Sequence, residues 1–262
     1  MDIQKQKKLQ DLLKSWISGT IFTSKGFVKC GISRMLAKQY KENGWIDVFG
    51  HGAFNRPQDA IEWYGALYAI QSQLNQDVHV GAKTALELHG LSHFLSMGRS
   101  NIDLLKATDL IIPKWFIDHN FKEQIRVTTC TFLPPKLGMH EIIIEGVPIS
   151  ISSRERAALE LLYLTPRFYS FDEIPLILDS LGTMMSVPLN ELLLQCSSEK
   201  VKRLMLYFGE KQGHDWYKSI HETIQIGTSP LKIAAQNGKY ISKYNISIPS
   251  EYIIKNESAI KF

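Results

Sequence analysis

Between positions 25 and 56 the chain gathers side chains that could hold a polyanion. Arg34, Lys38 and Lys41 recur at i, i+4 and i+7, which places them on one face of a helix, with Gln39 beside them. Arginine and lysine can pair with the acceptor edge of guanine and glutamine with adenine, and all three can reach phosphates. Ile32, Leu36 and Tyr40 recur every four residues on another face and would pack inward, while Ser33 would cap the helix. Upstream, Lys25 and Lys29 could meet a phosphate backbone, together with the amides that begin their helix near Thr23 and Ser24. Downstream, the tip Gly50-His51-Gly52 would bring a turn of backbone close to the duplex, flanked by Asn55 and Arg56. The candidate contact set is therefore Lys25, Lys29, Ser33, Arg34, Lys38, Gln39, Lys41, His51, Asn55 and Arg56.

Other stretches imitate chemistry without completing it. "GAKT" at 81–84 resembles a phosphate loop, but Ala82 separates the glycine from the lysine and position 76 is Gln. A helix start with an exposed Lys83 is the simpler reading. His89 and His93 stand at i, i+4, a spacing able to hold zinc, yet "HGLSH" lacks the glutamate of a metalloprotease and no cysteine is near. The stretch 198–211 carries Lys200, Lys202, Arg203 and Lys211 beside Leu204, Leu206 and Phe208, as an amphipathic helix with a solvated side would; a second patch facing DNA or a partner is the alternative. No Gly-Ser followed by paired aspartates offers a nucleotidyltransferase its metal site. Asp172-Glu173 suits a helix start, where carboxylates favour the dipole. No catalytic set, cofactor or metal is expected.

These residues need elements to position them. Leu9, Leu12, Leu13, Trp16 and Ile17 mark an amphipathic helix, ended by Gly19. A short helix capped by Thr23 or Ser24 closes at Gly31, and the next, over about 33–43, stops at Asn43-Gly44. "WIDVF-GHG-AFN" then reads as two strands around a glycine-rich turn, with Ile46, Val48 and Phe54 covering the core. Helix, helix, tight turn, helix and hairpin is the order of a winged helix-turn-helix. Beyond Pro57, apolar helices over 58–74 and 81–95 would pack on each other. From 101 onward strands ("NIDLLKA", "EQIRVTTCTFL", "EIIIEGVPISIS") give way to helices, the first with Ser152 and Glu155 as a capping box. A final strand pair would turn around Asn237-Gly238. The expected class is α+β: a winged helix-turn-helix at 1–57, connecting helices at 58–100 and a larger mixed α/β domain at 101–262.

At 262 residues and 44% hydrophobic, the chain can bury one large or two ordinary cores. Residues 1–57 hold ten Lys and Arg against four Asp and Glu, a charge of +6, and the remainder holds 20 against 22, a charge of −2. A basic head on a faintly acidic body is the asymmetry expected when one end meets a polyanion. Cys30, Cys130 and Cys196 follow neither disulfide nor zinc spacing, which points to a reduced, cytoplasmic protein. No apolar run approaches the ~18 residues of a membrane helix, so no membrane partner is expected.

The chain also resembles the AbiEi antitoxins of type IV toxin–antitoxin systems. The likeness is carried by "GISRMLAKQYKENGWIDVFGHGAFNRP", "GALYAIQSQLNQDVHVGAKTALELHGLSHFL", "VPISISSRERAALELLYLTP", "SSEKVKRLMLYFGEKQGHDWY" and "GKYISKYNISIP". "HVGAKTALELHGL" is the most specific, similar to a His-Val-Gly-Gly-Lys-Thr-Ala-Leu-Glu signature with Ala82 where a second glycine is usual. The resemblance implies a winged helix that represses its own promoter at inverted repeats in double-stranded DNA. It also implies a C-terminal domain that opposes a cognate nucleotidyltransferase toxin without a stable complex. Read from the residues alone, a winged-helix regulator with a ligand-sensing body and a DNA-acting nuclease remain alternatives.

Overall fold

The computed structural model describes residues 3–91, 101–181, 184–233 and 238–250. Contacts group them into two compact units, one drawn from the stretches Met1–His79, Gly98–Thr129 and His140–Ile151, the other from Val80–Met97, Cys130–Met139 and Ser152–Phe262.

The first unit opens with helix α1 (Ile3–Ser15), strand β1 (Phe22–Thr23) and helices α2 (Ser24–Lys29) and α3 (Arg34–Glu42). Strands β2 (Asp47–Gly50) and β3 (Ala53–Asn55) follow. The apolar spacing of α1 and α3 decides their packing: Leu9, Leu12, Trp16, Ile32, Leu36 and Tyr40 are buried in one cluster with Phe22, Phe27 and Ile46. The strands pair antiparallel in the order β1-β3-β2, with Phe22 opposite Phe54 and Val48 opposite Phe54 on its other side. This is the winged helix-turn-helix expected from the sequence. Val48 departs from expectation, since it lies on the solvent side of β2 and is 48% exposed.

Helix α4 (Trp63–Tyr68) is shorter than the 58–74 stretch implied, and it runs into a π-helical turn, Ala69–Gln73. The widened turn presents two glutamines. Gln71 bonds both strand backbones beside it, donating to the carbonyls of Val78 and Ser150 and accepting from the Ser150 amide. Gln73 accepts from the amide and hydroxyl of Thr23 and donates to the carbonyl of Ile21. A five-stranded sheet comes next, built from β4 (Val78–Val80), β5 (Asn101–Lys106), β6 (Gln124–Thr129), β7 (Met139–Ile144) and β8 (Val147–Ser152) in the order β6-β5-β4-β8-β7. Strands β5 and β6 are parallel; their connection includes a short helix, α6 (Lys114–Ile117).

The second unit is mainly helical. It holds α5 (Ala82–Leu88), α7 (Arg154–Leu164), α8 (Glu173–Ser180), α9 (Ser186–Leu194), α10 (Glu199–Gln212) and α11 (Asp215–Ile220). Helix α7 is capped by Ser153, whose hydroxyl accepts from the Arg156 amide, one residue later than the expected Ser152–Glu155 box. Ser152 instead donates to Glu160, at 2.7 Å, and Glu155 accepts from the Met185 amide. A third sheet contains β9 (Leu231–Lys232), β10 (Gly238–Ile241) and β11 (Ile246–Pro249). Its hairpin joins β10 to β11 through the turn 242–245, whereas β9 runs parallel to β11. The expected pairing around Asn237-Gly238 is thereby corrected, although Asn237 itself lies outside the described residues. No helix among the described residues is long and apolar enough to cross a membrane.

Candidate nucleic-acid interface

Ser33 begins α3 as a cap in extended geometry, its hydroxyl accepting from the Leu36 amide at 3.2 Å. That start fixes the helix phase. Leu36, Ala37 and Tyr40 turn inward, and Arg34, Met35, Lys38 and Lys41 are left exposed. Across from this face stands the hairpin. Its pairing slips by one residue between Val48 and Gly50, and Gly52 takes φ +73 at the turn, where a side chain would be strained. The amide of Ser24 donates to the carbonyl of Gly52 at 2.9 Å, so the turn is tied to the start of α2.

Helices α2 and α3 and the hairpin enclose a concavity of about 640 Å³. Lys25, Ser33, Arg34, Lys38, Lys41 and His51 line it, over a floor that includes the buried Phe27, Ile32 and Ala37, and none of the described lining residues is acidic. Lys38 lies 3.7 Å from Glu42 in a highly exposed pair. Such a pair is worth well under about 1 kcal/mol and leaves the lysine available to an anion.

Four members of the candidate set stand apart from that concavity. Lys29 donates its ammonium to the Gln73 carbonyl at 3.1 Å. Gln39 is half-buried. Asn55 donates to the carbonyl of Arg56. Arg56 reaches back into its own domain: one guanidinium nitrogen donates to the carbonyls of Leu13 and Trp16, and the group lies 6.0 Å from the centre of the Trp16 ring. It clamps the end of α1. The amides expected to greet a phosphate at the start of α2 are also engaged, that of Thr23 with Gln73, that of Ser24 with Gly52 and that of Gly26 with the Thr23 hydroxyl.

Sequence reasoning missed what holds the hairpin. Trp115, on α6, packs so closely that a β-carbon on Gly50 would fall 2.5 Å from its own. Phe49 meets the Trp115 ring edge-on at 6.2 Å and lies 4.5 Å from His119, centre to centre. Gly50 is thus a packing requirement, not only a turn residue. The one signal available was an aromatic pair, Trp115-Phe116, just after Pro113, and nothing in it points back sixty residues.

The imitations resolve as well. His89 bonds the Ser152 carbonyl through its ring at 2.8 Å, and His93 lies outside the described residues. Among the described residues no cluster of three or more His, Cys, Asp and Glu could hold a metal. Lys83 is mostly buried and 3.8 Å from Glu173, which corrects its expected exposure. The expected solvated side of α10 is corrected too. Arg203 is 2% exposed and donates to the carbonyls of Gly227, Ser229 and Asn245 at 2.8–2.9 Å. Lys200 donates to the carbonyls of Tyr163 and Thr165, and burial lowers its pKa to about 8. All three cysteines are free; Cys30 is exposed, and burial raises Cys130 to about 12 and Cys196 to about 11.

Comparison with known proteins meets this geometry. The family described as "Transcriptional regulator, AbiEi antitoxin, Type IV TA system" matches residues 99–249, and its "AbiEi antitoxin N-terminal domain" matches residues 5–97. The chain belongs to the AbiEi antitoxin family. Members of that family are transcriptional regulators and antitoxins of type IV toxin–antitoxin systems, and in this AbiEi chain the N-terminal match contains the whole concave face. The crystal structure of the RV2827C protein from Mycobacterium tuberculosis is similar over 98% of this chain and 96% of that one, with a TM-score of 0.58 at 10% identity. At that identity the likeness speaks for the fold. No curated protein matches the chain.

Proposed function

We propose that this AbiEi chain is a DNA-binding autorepressor whose N-terminal 57 residues read its own promoter, with α3 in the major groove. Arg34, Lys38 and Lys41 reach bases and phosphates there, with Gln39 beside them. Lys25 and His51 grip the flanking backbone, and Ser33 fixes the start of the reading helix. Lys29, Asn55 and Arg56 act from behind, by holding the domain that presents the others. The observation carrying this reading is the concavity between α3 and the hairpin, lined by exposed cations and without a carboxylate among its described lining residues. The remainder of the chain, through residues 101–262 and the connection at 58–100, opposes a nucleotidyltransferase toxin encoded by the same operon, without forming a stable complex.

The test is Arg34→Ala, Lys38→Ala and Lys41→Ala together in the full chain. Binding to the upstream DNA should weaken about 100-fold or more, and the slope of log affinity against log salt should flatten by up to about 3. Co-expressed with the toxin, the variant should lose repression and keep rescue. Unchanged affinity and slope would remove α3 from the groove. Loss of rescue together with repression would mean that the two activities share one surface.

A further inference from the structure

The cationic face carries something that phosphate does not need. Val28, on α2, is 67% exposed, and Met35, on the first turn of α3, is 74% exposed. Val28 lines the same concavity as Arg34, Lys38 and Lys41, and Met35 adjoins Arg34. Leu9, Leu12, Trp16, Phe27, Ile32 and Tyr40 of the same domain are all buried, whereas these two meet solvent. Placed among lysines and an arginine, they suit an occupant that is anionic overall yet presents small apolar protrusions. Duplex DNA fits both requirements, because the C5-methyl group of thymine is the apolar feature that base edges offer in the major groove.

We propose that Val28 and Met35 read thymine methyl groups, making them specificity-determining residues of this DNA-binding face. The inference rests on the docking proposed above and adds the base class that is read. Phosphate contacts set register and affinity; methyl contacts would select thymine steps under the ends of α2 and α3.

The probe is the duplex immediately upstream of the chain's own reading frame, amplified once with dTTP and once with dUTP. Uracil keeps the charge and pairing and removes only the methyl. At one fixed salt concentration the wild-type chain should bind the uracil duplex about tenfold more weakly. The Val28→Ala, Met35→Ala double variant should bind both duplexes equally, at about the wild-type affinity for the uracil form. Both side chains are mostly in water, so these changes leave folding intact. Equal wild-type binding to the two duplexes, with binding still lost in the Arg34, Lys38 and Lys41 variant, overturns methyl reading and leaves groove docking in place. Failure of the wild-type chain to bind either duplex overturns the docking and the inference together. A double variant that still discriminates thymine from uracil, but changes oligomeric state, overturns the inference and assigns the patch to contact between copies of the chain.

Discussion

At Ala82 the backbone takes φ +47 while the residue is fully buried and its amide donates to Glu160 at 3.1 Å. A left-handed conformation costs a non-glycine residue about 1–2 kcal/mol. Glycine would take this conformation without the steric cost. Ala82→Gly should therefore relieve strain, offset by the loss of a buried methyl worth about 0.8 kcal/mol. Chemical denaturation should find stability unchanged, or raised by up to about 1 kcal/mol. Ala85→Gly, buried in the same helix, should lose at least about 1 kcal/mol. If the two substitutions cost the same, the strain at Ala82 is absent. At this scale the sequence was legible wherever a local rule decides the outcome: Ser33 and Thr23 are caps, and Ile32, Leu36 and Tyr40 are core. It was not legible where a distant partner decides. Arg34, Arg56 and Arg203 look alike in the chain, but one meets solvent and two meet backbone carbonyls supplied from 24 to 43 residues away.

Among the elements, the hairpin depends most on help from outside itself. Two strands of four and three residues are too short to hold an orientation alone. The Gly50–Trp115 contact fixes it against α6, the tilted Phe49–His119 ring contact holds it to the segment just after that helix, and the bond from Ser24 to Gly52 fixes it against α2. Trp115→Ala should let the hairpin wander, so that ordering it on DNA costs affinity of about fivefold, roughly 1 kcal/mol. The salt slope should stay at the wild-type value, because no cation is removed. Anisotropy titrations over a range of salt measure both quantities. A flattened slope, or an affinity equal to wild type, would show that α6 does not position the hairpin. Hairpin existence was readable from "FGHGAF", since glycine and alternation are local signals. Its buttress was not, and neither was the parallel pairing of β9 with β11, because each joins segments through long-range geometry that periodicity does not encode.

Over the whole molecule, charge sorts into two kinds. Several of the body's cations are used internally: Arg126 with Asp103, Arg156 with Glu160, Lys202 and Arg203 with Glu199, and Lys243 with Glu210. The cations of the concave face meet solvent. Those cations are thus free to meet an outside polyanion, in keeping with the count of +6 against −2. Lys202→Gln with Lys211→Gln should leave DNA affinity within about twofold of wild type, since Lys202 is paired with Glu199 and Lys211, at the end of α10, is exposed to solvent, and neither lines the concave face. Matching loss in this variant and in the Arg34, Lys38 and Lys41 variant would make α10 a second contact surface. The three thiols offer a practical consequence of the same sorting by burial. With Cys130 and Cys196 masked and slow to ionise, a maleimide dye should attach at Cys30, at the C-terminal end of α2, giving the native chain an optical reporter with which to follow the proposed DNA docking.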